Sequence, residues 1–136
     1  MQKTMYSILK DIDELSSQKE KVQALGQHQY KEALSIIANL ALNPKVNWLL
    51  PEGNPPYKPC EFDAEGRFLS EIRRLYLFLE GGNNNLKQTK REQLFIDILE
   101  SVDPDDAKLL LAMKDKKMPF KSINKTLIKK AFPNIW

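Results

Sequence analysis

The chain has one cysteine, Cys60, and one histidine, His28, in 136 residues. A lone thiol excludes an internal disulfide, and one cysteine with one histidine is too small a ligand set for a structural zinc site. Both scarcities fit a reducing, cytoplasmic setting. No apolar run approaches the ~20 residues that a membrane span needs, and Met1 to Lys10 lacks the apolar stretch of a secretory signal. Gly81-Gly82 stands outside any Gly-x-x-x-x-Gly-Lys phosphate loop. His28 reads as a helix-entry residue with no nucleophile beside it, and Cys60, between Pro59 and Glu61, has nothing to activate it. Asp103, Asp105 and Asp106 are explained as an acidic first helical turn rather than a metal site. The expectation is a protein that is not an enzyme, with no cofactor, no metal, no membrane segment and no small-molecule substrate.

What is present is a globular composition. Hydrophobic residues make up 42% of the chain, so wholesale disorder is not expected. A chain of this length buries roughly two-thirds of the surface that its unfolded form exposes. One domain over 1–136 is expected.

The hydrophobic spacing is helical almost throughout. Thr4 caps a first helix with Met5, Ile8, Leu9, Ile12 and Leu15 on one side. Ser16 or Ser17 caps a second with Val22 and Leu25, which Gly26 stops. Tyr30, Ala33, Leu34, Ile37, Ala38 and Ala41 mark a third, ended by Asn43-Pro44. Residues 43–62 hold five prolines, which forbid regular helix, yet Val46, Trp48, Leu49, Leu50, Tyr57 and Phe62 imply a loop packed on the body. Trp48 and Tyr57 read as loop anchors, with base stacking as the alternative.

Asp63 is expected to cap a fourth helix with Phe68, Ile72, Leu75, Tyr76 and Leu79 in one stripe, ended by Gly81-Gly82 and Asn83 to Asn85. Thr89 and Glu92 have capping-box spacing for a fifth, carrying Leu94, Phe95, Ile98 and Leu99. Asp103-Pro104 opens a sixth with Leu109, Leu110 and Met113. Ser122 or Asn124 caps the last, with Leu127, Ile128, Ala131 and Phe132. Ile135 and Trp136 either fold back on the core or insert into a partner. With no credible strand pair, the fold class is all-α: a compact bundle of six or seven helices with one Pro-rich packed loop.

Charge is distributed in blocks. Lys87, Lys90 and Arg91 form one basic stretch, residues 92–113 carry six acids against Lys108, and 114–130 carry seven lysines against Asp115. Clustering of this kind is the form a nucleic-acid footprint takes, and also that of a solvated lysine-rich face. Leu86 to Arg91 and Phe120 to Lys125 echo one another, each a polar basic turn leading into a helix. A helix start offers free N–H groups and the positive end of the dipole, so the two turns read as anion sites suited to duplex phosphates.

The order of these elements resembles the N-terminal helical DNA-binding domain of ATP-dependent DNA ligases of the T-even phage type. Tyr6 to Ile12 with Ser17 to Lys21, Ile72 to Leu79 with the Asn-rich turn, Leu94 to Leu99, Lys114-Asp115, Ile123 to Lys130 and Phe132-Pro133 carry the likeness. The chain also looks like a family of small uncharacterised proteins of T-even-like marine phages, through Asn47 to Pro51, Arg73 to Phe78 and Gln88 to Glu92. The ligase likeness implies a grip on duplex DNA, nicked duplex included, through Asn84, Asn85, Lys87, Thr89 and Lys90 in the first turn. In the second turn it implies Lys121, Ser122, Asn124, Lys125 and Thr126. The charge pattern adds Arg91. The expected role is accessory to phage DNA replication, repair or recombination in the host cytoplasm. The chain lacks the Lys-x-Asp-Gly motif of the lysine–adenylate intermediate, so nick sealing is not expected, and its second turn lacks the glycine of the ligase loop. The alternative is a protein-interaction module on the same scaffold, docking on a phage or host protein.

Overall fold

Four helix starts are set by their own side chains. Thr4 Oγ1 accepts the Ser7 N–H at 3.0 Å, Ser17 Oγ that of Glu20 at 3.1 Å, Asp103 Oδ1 that of Asp105 at 2.9 Å and Asn124 Oδ1 that of Leu127 at 2.9 Å. In the computed structural model, which describes residues 4–62 and 64–136, these caps open α1 (Met5–Asp13), α2 (Gln18–Gly26), α6 (Pro104–Lys114) and α7 (Lys125–Ala131). The remaining helices are α3 (Lys31–Leu42), α4 (Arg67–Glu71) and α5 (Gln88–Ser101). The all-α expectation holds: among the described residues there is no strand, only an isolated antiparallel bridge between Trp48 and Leu79. None of these helices is long and apolar enough to cross a membrane.

The central element is α6. Ala107, Leu109, Leu110, Leu111 and Met113 are all buried, so it is covered on nearly every side, by α1, α3 and α5. α7 closes the bundle against α2 and α3. One continuous core results, and each fully buried Leu, Ile or Phe in it stabilises by about 1.5–3 kcal/mol. Ile135 and Trp136 pack back onto this core, Trp136 beneath the Lys129 ammonium at 5.5 Å.

Two expectations change around α4. The proposed Asp63 cap lies outside the described residues, and α4 opens after Gly66, whose φ of 83° suits a glycine. From Ile72 to Phe78 the chain winds as a 3-10 helix. Three residues per turn stack Ile72, Leu75 and Phe78 on the buried side. Tyr76, expected in that stripe on α-helical spacing, is turned out and 52% exposed.

The Pro-rich loop packs on the body as expected at its first half. Trp48 Nε1 donates to Leu40 O at 3.0 Å, which makes Trp48 a loop anchor, and Leu49 N donates to Phe78 O at 2.7 Å. Phe62 departs from the expectation at 82% exposed.

The three clustered acids of α6 go three ways. Asp103 caps, Asp105 faces Lys108 at 3.9 Å, and Asp106 turns inward to accept the Tyr6 N–H at 2.9 Å, joining the starts of α1 and α6. Burial pushes the Asp106 carboxyl up to about 6, against the opposing pull of the Tyr6 N–H, with Asp103 and Asp105 adding to the rise. The folded chain therefore holds this proton more tightly than the unfolded one. Between about pH 4 and 6 its stability rises as pH falls, and above 6 the ionised carboxyl costs up to about 3 kcal/mol. Urea unfolding of the native chain and Asp106→Asn between pH 4 and 7 should show the native curve gaining on the variant on the acid side. Parallel curves would mean that Asp106 titrates normally.

Candidate functional site

The residues singled out in the sequence divide into exposed groups and groups spent on the fold. Arg91 belongs to the second kind. It is 5% exposed, and its guanidinium donates to Leu77 O at 3.1 Å, Asn83 O at 3.2 Å, Leu86 O at 3.3 Å and Gln88 Oε1 at 2.6 Å. The expectation that Arg91 contacts phosphate is therefore corrected: a phosphate would have to displace four internal acceptors. No ion pair to Arg91 is formed among the described residues, so its charge adds to the positive potential of the turn it organises.

That turn is tight for steric reasons. Gly81 has φ 84°, and a methyl group at Gly82 would fall 1.8 Å from Tyr76 O. Asn85 N–H donates to Asn83 Oδ1 at 3.1 Å. Asn84, Asn85, Lys87, Thr89 and Lys90 are all exposed along it. α5 begins at Gln88 with Lys87 as its cap residue, so the expected capping box with Thr89 and Glu92 is not formed. Lys87 has no oxygen to offer, and no side chain caps the first N–H groups of this helix. Its first turn carries no acid either.

The second turn is spent more heavily. Ser122 N–H donates to Asp13 Oδ1 at 3.1 Å and its hydroxyl also meets that carboxylate, while Asn124 caps α7. The expected contact of Ser122 with a ligand is therefore corrected, since its N–H and hydroxyl both meet Asp13, whereas Asn124 spends its Oδ1 on the cap and stays exposed. α7 has only seven residues, and Asn124 already answers the Leu127 N–H, so little of a helix-start anion site remains. Lys121, Lys125 and Thr126 are exposed, and the two lysines have no hydrogen bond or ion pair among the described residues.

The start of the Pro-rich loop lies between the two turns. Lys116, in the left-handed region at φ 60°, ends α6 and reaches Leu40 O at 3.2 Å and Asn43 O at the end of α3. Burial, and then the nearby Lys125 charge, hold its ammonium below the usual lysine range. Lys114, buried where Lys116 is half-buried, donates from Nζ to Pro51 O at 2.9 Å and Asp115 Oδ1 at 2.5 Å. Gln88 Nε2 donates to Leu49 O at 2.8 Å. Residues 43–51 thus run from the Lys116–Lys125 corner to the start of α5. Asn43 and Leu49 are at most ~20 Å apart along an extended chain. Exposed Lys45 and Lys117, which sequence reasoning did not single out, join this end of the bundle.

Glu80, which accepts from Asn47 Nδ2 at 3.0 Å, Glu92 and Asp115 also lie at this end, but most acids of α5 and α6 collect at the other. α5 and α6 are packed and joined by Val102-Asp103 alone, and Lys114 at the end of α6 lines one groove with Glu92 and Phe95 near the start of α5, so the pair folds back as a hairpin. Asp97, Glu100, Asp103 and Asp105 sit toward its closed end, and Lys87, Lys90 and Lys117 at its open end. Elsewhere, His28 Nδ1 accepts the Tyr30 N–H at 3.0 Å. Among the described residues no three His, Cys, Asp or Glu side chains are grouped to hold a metal.

The model of a family of unknown function (DUF6433) matches residues 8–119. The chain belongs to this family. The match runs from α1 through the end of α6, so the Lys87–Lys90 turn lies within it and Lys121 and Lys125 lie beyond it. No curated protein and no solved structure matches the chain.

Arg91 should therefore act as a stability residue and the lysines around it should not. Arg91→Ala strands three backbone carbonyls and is expected to lower urea-unfolding stability by about 2–4 kcal/mol. Arg91→Lys should recover little, because an ammonium cannot span those acceptors. Lys87→Ala and Lys90→Ala should stay within about 0.5 kcal/mol of the native chain. Equal losses at all three positions would remove the distinction.

Proposed function

We propose that the protein binds duplex DNA without catalysing a reaction, holding the phosphate backbone at the open end of the α5–α6 hairpin. The observation that carries this reading is a set of exposed lysines, free of acid partners among the described residues, at the two ends of segment 43–51. Lys87 and Lys90 stand at one end of segment 43–51, and Lys45, Lys117 and Lys125 at the other. The ~20 Å limit on the tethers falls within the ~34 Å of one turn of B-form DNA, so both groups can meet phosphates of the same duplex. The uncapped N–H groups of α5 add an anion site, and Asn84, Asn85, Thr89 and Thr126 add neutral donors. The likeness to the ligase DNA-binding domain supports the same reading, and it alone suggests an accessory role in phage DNA replication, repair or recombination.

One observation favours a protein-docking module instead. Ile36 is 38% exposed on α3, between two open grooves that share Lys31 and Glu32.

Fluorescence anisotropy with nicked duplex, intact duplex and single-stranded DNA at two salt concentrations separates the readings. Five lysine–phosphate contacts should weaken duplex binding roughly 500-fold between about 50 and 200 mM salt. Lys87→Glu with Lys125→Glu should abolish it while leaving the thermal transition in place. If no DNA binds at low salt, or the double reversal binds as well as the native chain, the protein-docking reading replaces this one.

A further inference from the structure

Beside the lysines lies an aromatic side chain whose exposure is a product of the winding. In the 3-10 helix Ile72–Phe78, residues three apart eclipse one another. With Ile72, Leu75 and Phe78 buried, Arg73 and Tyr76 form a neighbouring column that faces water. Arg73 has no hydrogen bond or ion pair among the described residues, whereas Arg74 on the next column pairs with Glu71 at 3.0 Å. An α-helical path would put Tyr76 four residues from Ile72, on its side of the helix.

The column is tied to the basic turn. The Arg91 guanidinium holds Leu77 O and Leu86 O together. Tyr76 immediately precedes one of these residues and Lys87 immediately follows the other. Gly82, in the same turn, packs against Tyr76 O so closely that no side chain fits there. A half-exposed phenol ring is therefore held by its backbone beside the turn that carries two free ammonium groups, while Arg73, one 3-10 turn before it, lines the groove at the start of α3.

We propose that Tyr76 is a stacking platform for an unpaired base, so that the protein selects DNA at duplex–single-strand junctions over continuous duplex. The inference rests on the DNA-binding reading and names the substrate for the same surface. Phosphate contacts from Lys87 and Lys90 cannot distinguish a junction from a continuous duplex, since both offer the same backbone. A ring can: bases inside a duplex are already stacked on each other, and an overhanging base has a free face. The π-face of every base is equivalent for this purpose, so the preference is for structure and not sequence. Arg73, one turn along the column, meets the phosphate of the displaced strand.

The test uses a labelled blunt duplex of two separate strands, the same duplex with a short thymidine overhang, and the same duplex with an abasic overhang of equal length. The native chain should bind the thymidine overhang roughly 5- to 100-fold more tightly than the blunt duplex. The abasic overhang, which adds the phosphates without the rings, should bind close to the blunt value. Tyr76→Ala should lose the preference and keep the blunt affinity, and Tyr76→Phe should retain it. Equal binding of blunt and thymidine-tailed DNA, equal gain from the abasic tail, or a preference that survives Tyr76→Ala overturns the inference while DNA binding stands. Absence of binding to all three overturns both.

Discussion

One buried guanidinium holds the candidate surface in shape. Arg91 stands in the first turn of α5 and gathers carbonyls from the 3-10 helix, the Asn-rich turn and the residue before Lys87. Without it, the chain from Gly81 to Leu86 has glycine freedom at one end and three asparagines in the middle, with little apolar surface to bury. An arginine suits the task because its planar fork presents donors in several directions at once. Burying a charge is costly unless its hydrogen bonds are made, and here acceptors surround it. The cation is thus withheld from direct contact with a ligand, yet it sets where Tyr76, Asn84, Lys87 and Lys90 stand.

A second ordering follows from topology. Along the chain, charge runs basic, acidic, basic, and folding α5 against α6 converts that order into two ends. Five of the six acids of 92–113, all but Glu92, fall near the connection, where Asp103 also caps α6 and Asp105 favours its positive end. The bases fall at the opposite end, where α6 stops and α5 starts. Lys114 and Lys116 show that part of this basic block is structural: they satisfy carbonyls at the end of α3 and in the Pro-rich loop. Lys116 accepts a left-handed backbone that a glycine would adopt more easily, and its side chain gives the end of α3 a cation that glycine could not.

Much of the architecture was legible from local rules. Thr4, Ser17, Asp103-Pro104 and Asn124 mark helix starts because a short polar side chain beside a free N–H is a strong, short-range signal. Gly81-Gly82 was legible as a stop. The start of α5 was misplaced, since Thr89 and Glu92 fit a capping box that the chain does not use. Arg91 and Ser122 were misassigned because their residue types suit a ligand and an internal carbonyl or carboxylate equally well, and only the distant partners Leu77 and Asp13 separate the two uses. Tyr76 was missed because a period of 3.6 was assumed where the chain winds by three.

The sequence by itself determined the fold class, most helix ends, the packed character of the loop around Trp48 and the existence of two lysine-rich turns. Each depends on neighbours a few residues apart, through hydrogen-bond capping or apolar periodicity. Only the tertiary structure decided which cations are free, which are buried and that segment 43–51 runs between the two turns. Those outcomes depend on contacts such as Gln88 with Leu49 and Lys116 with Leu40, between residues 39 and 76 positions apart. No local pattern encodes a partner at that distance, and a lysine or arginine looks the same in sequence whether it meets water or a buried carbonyl.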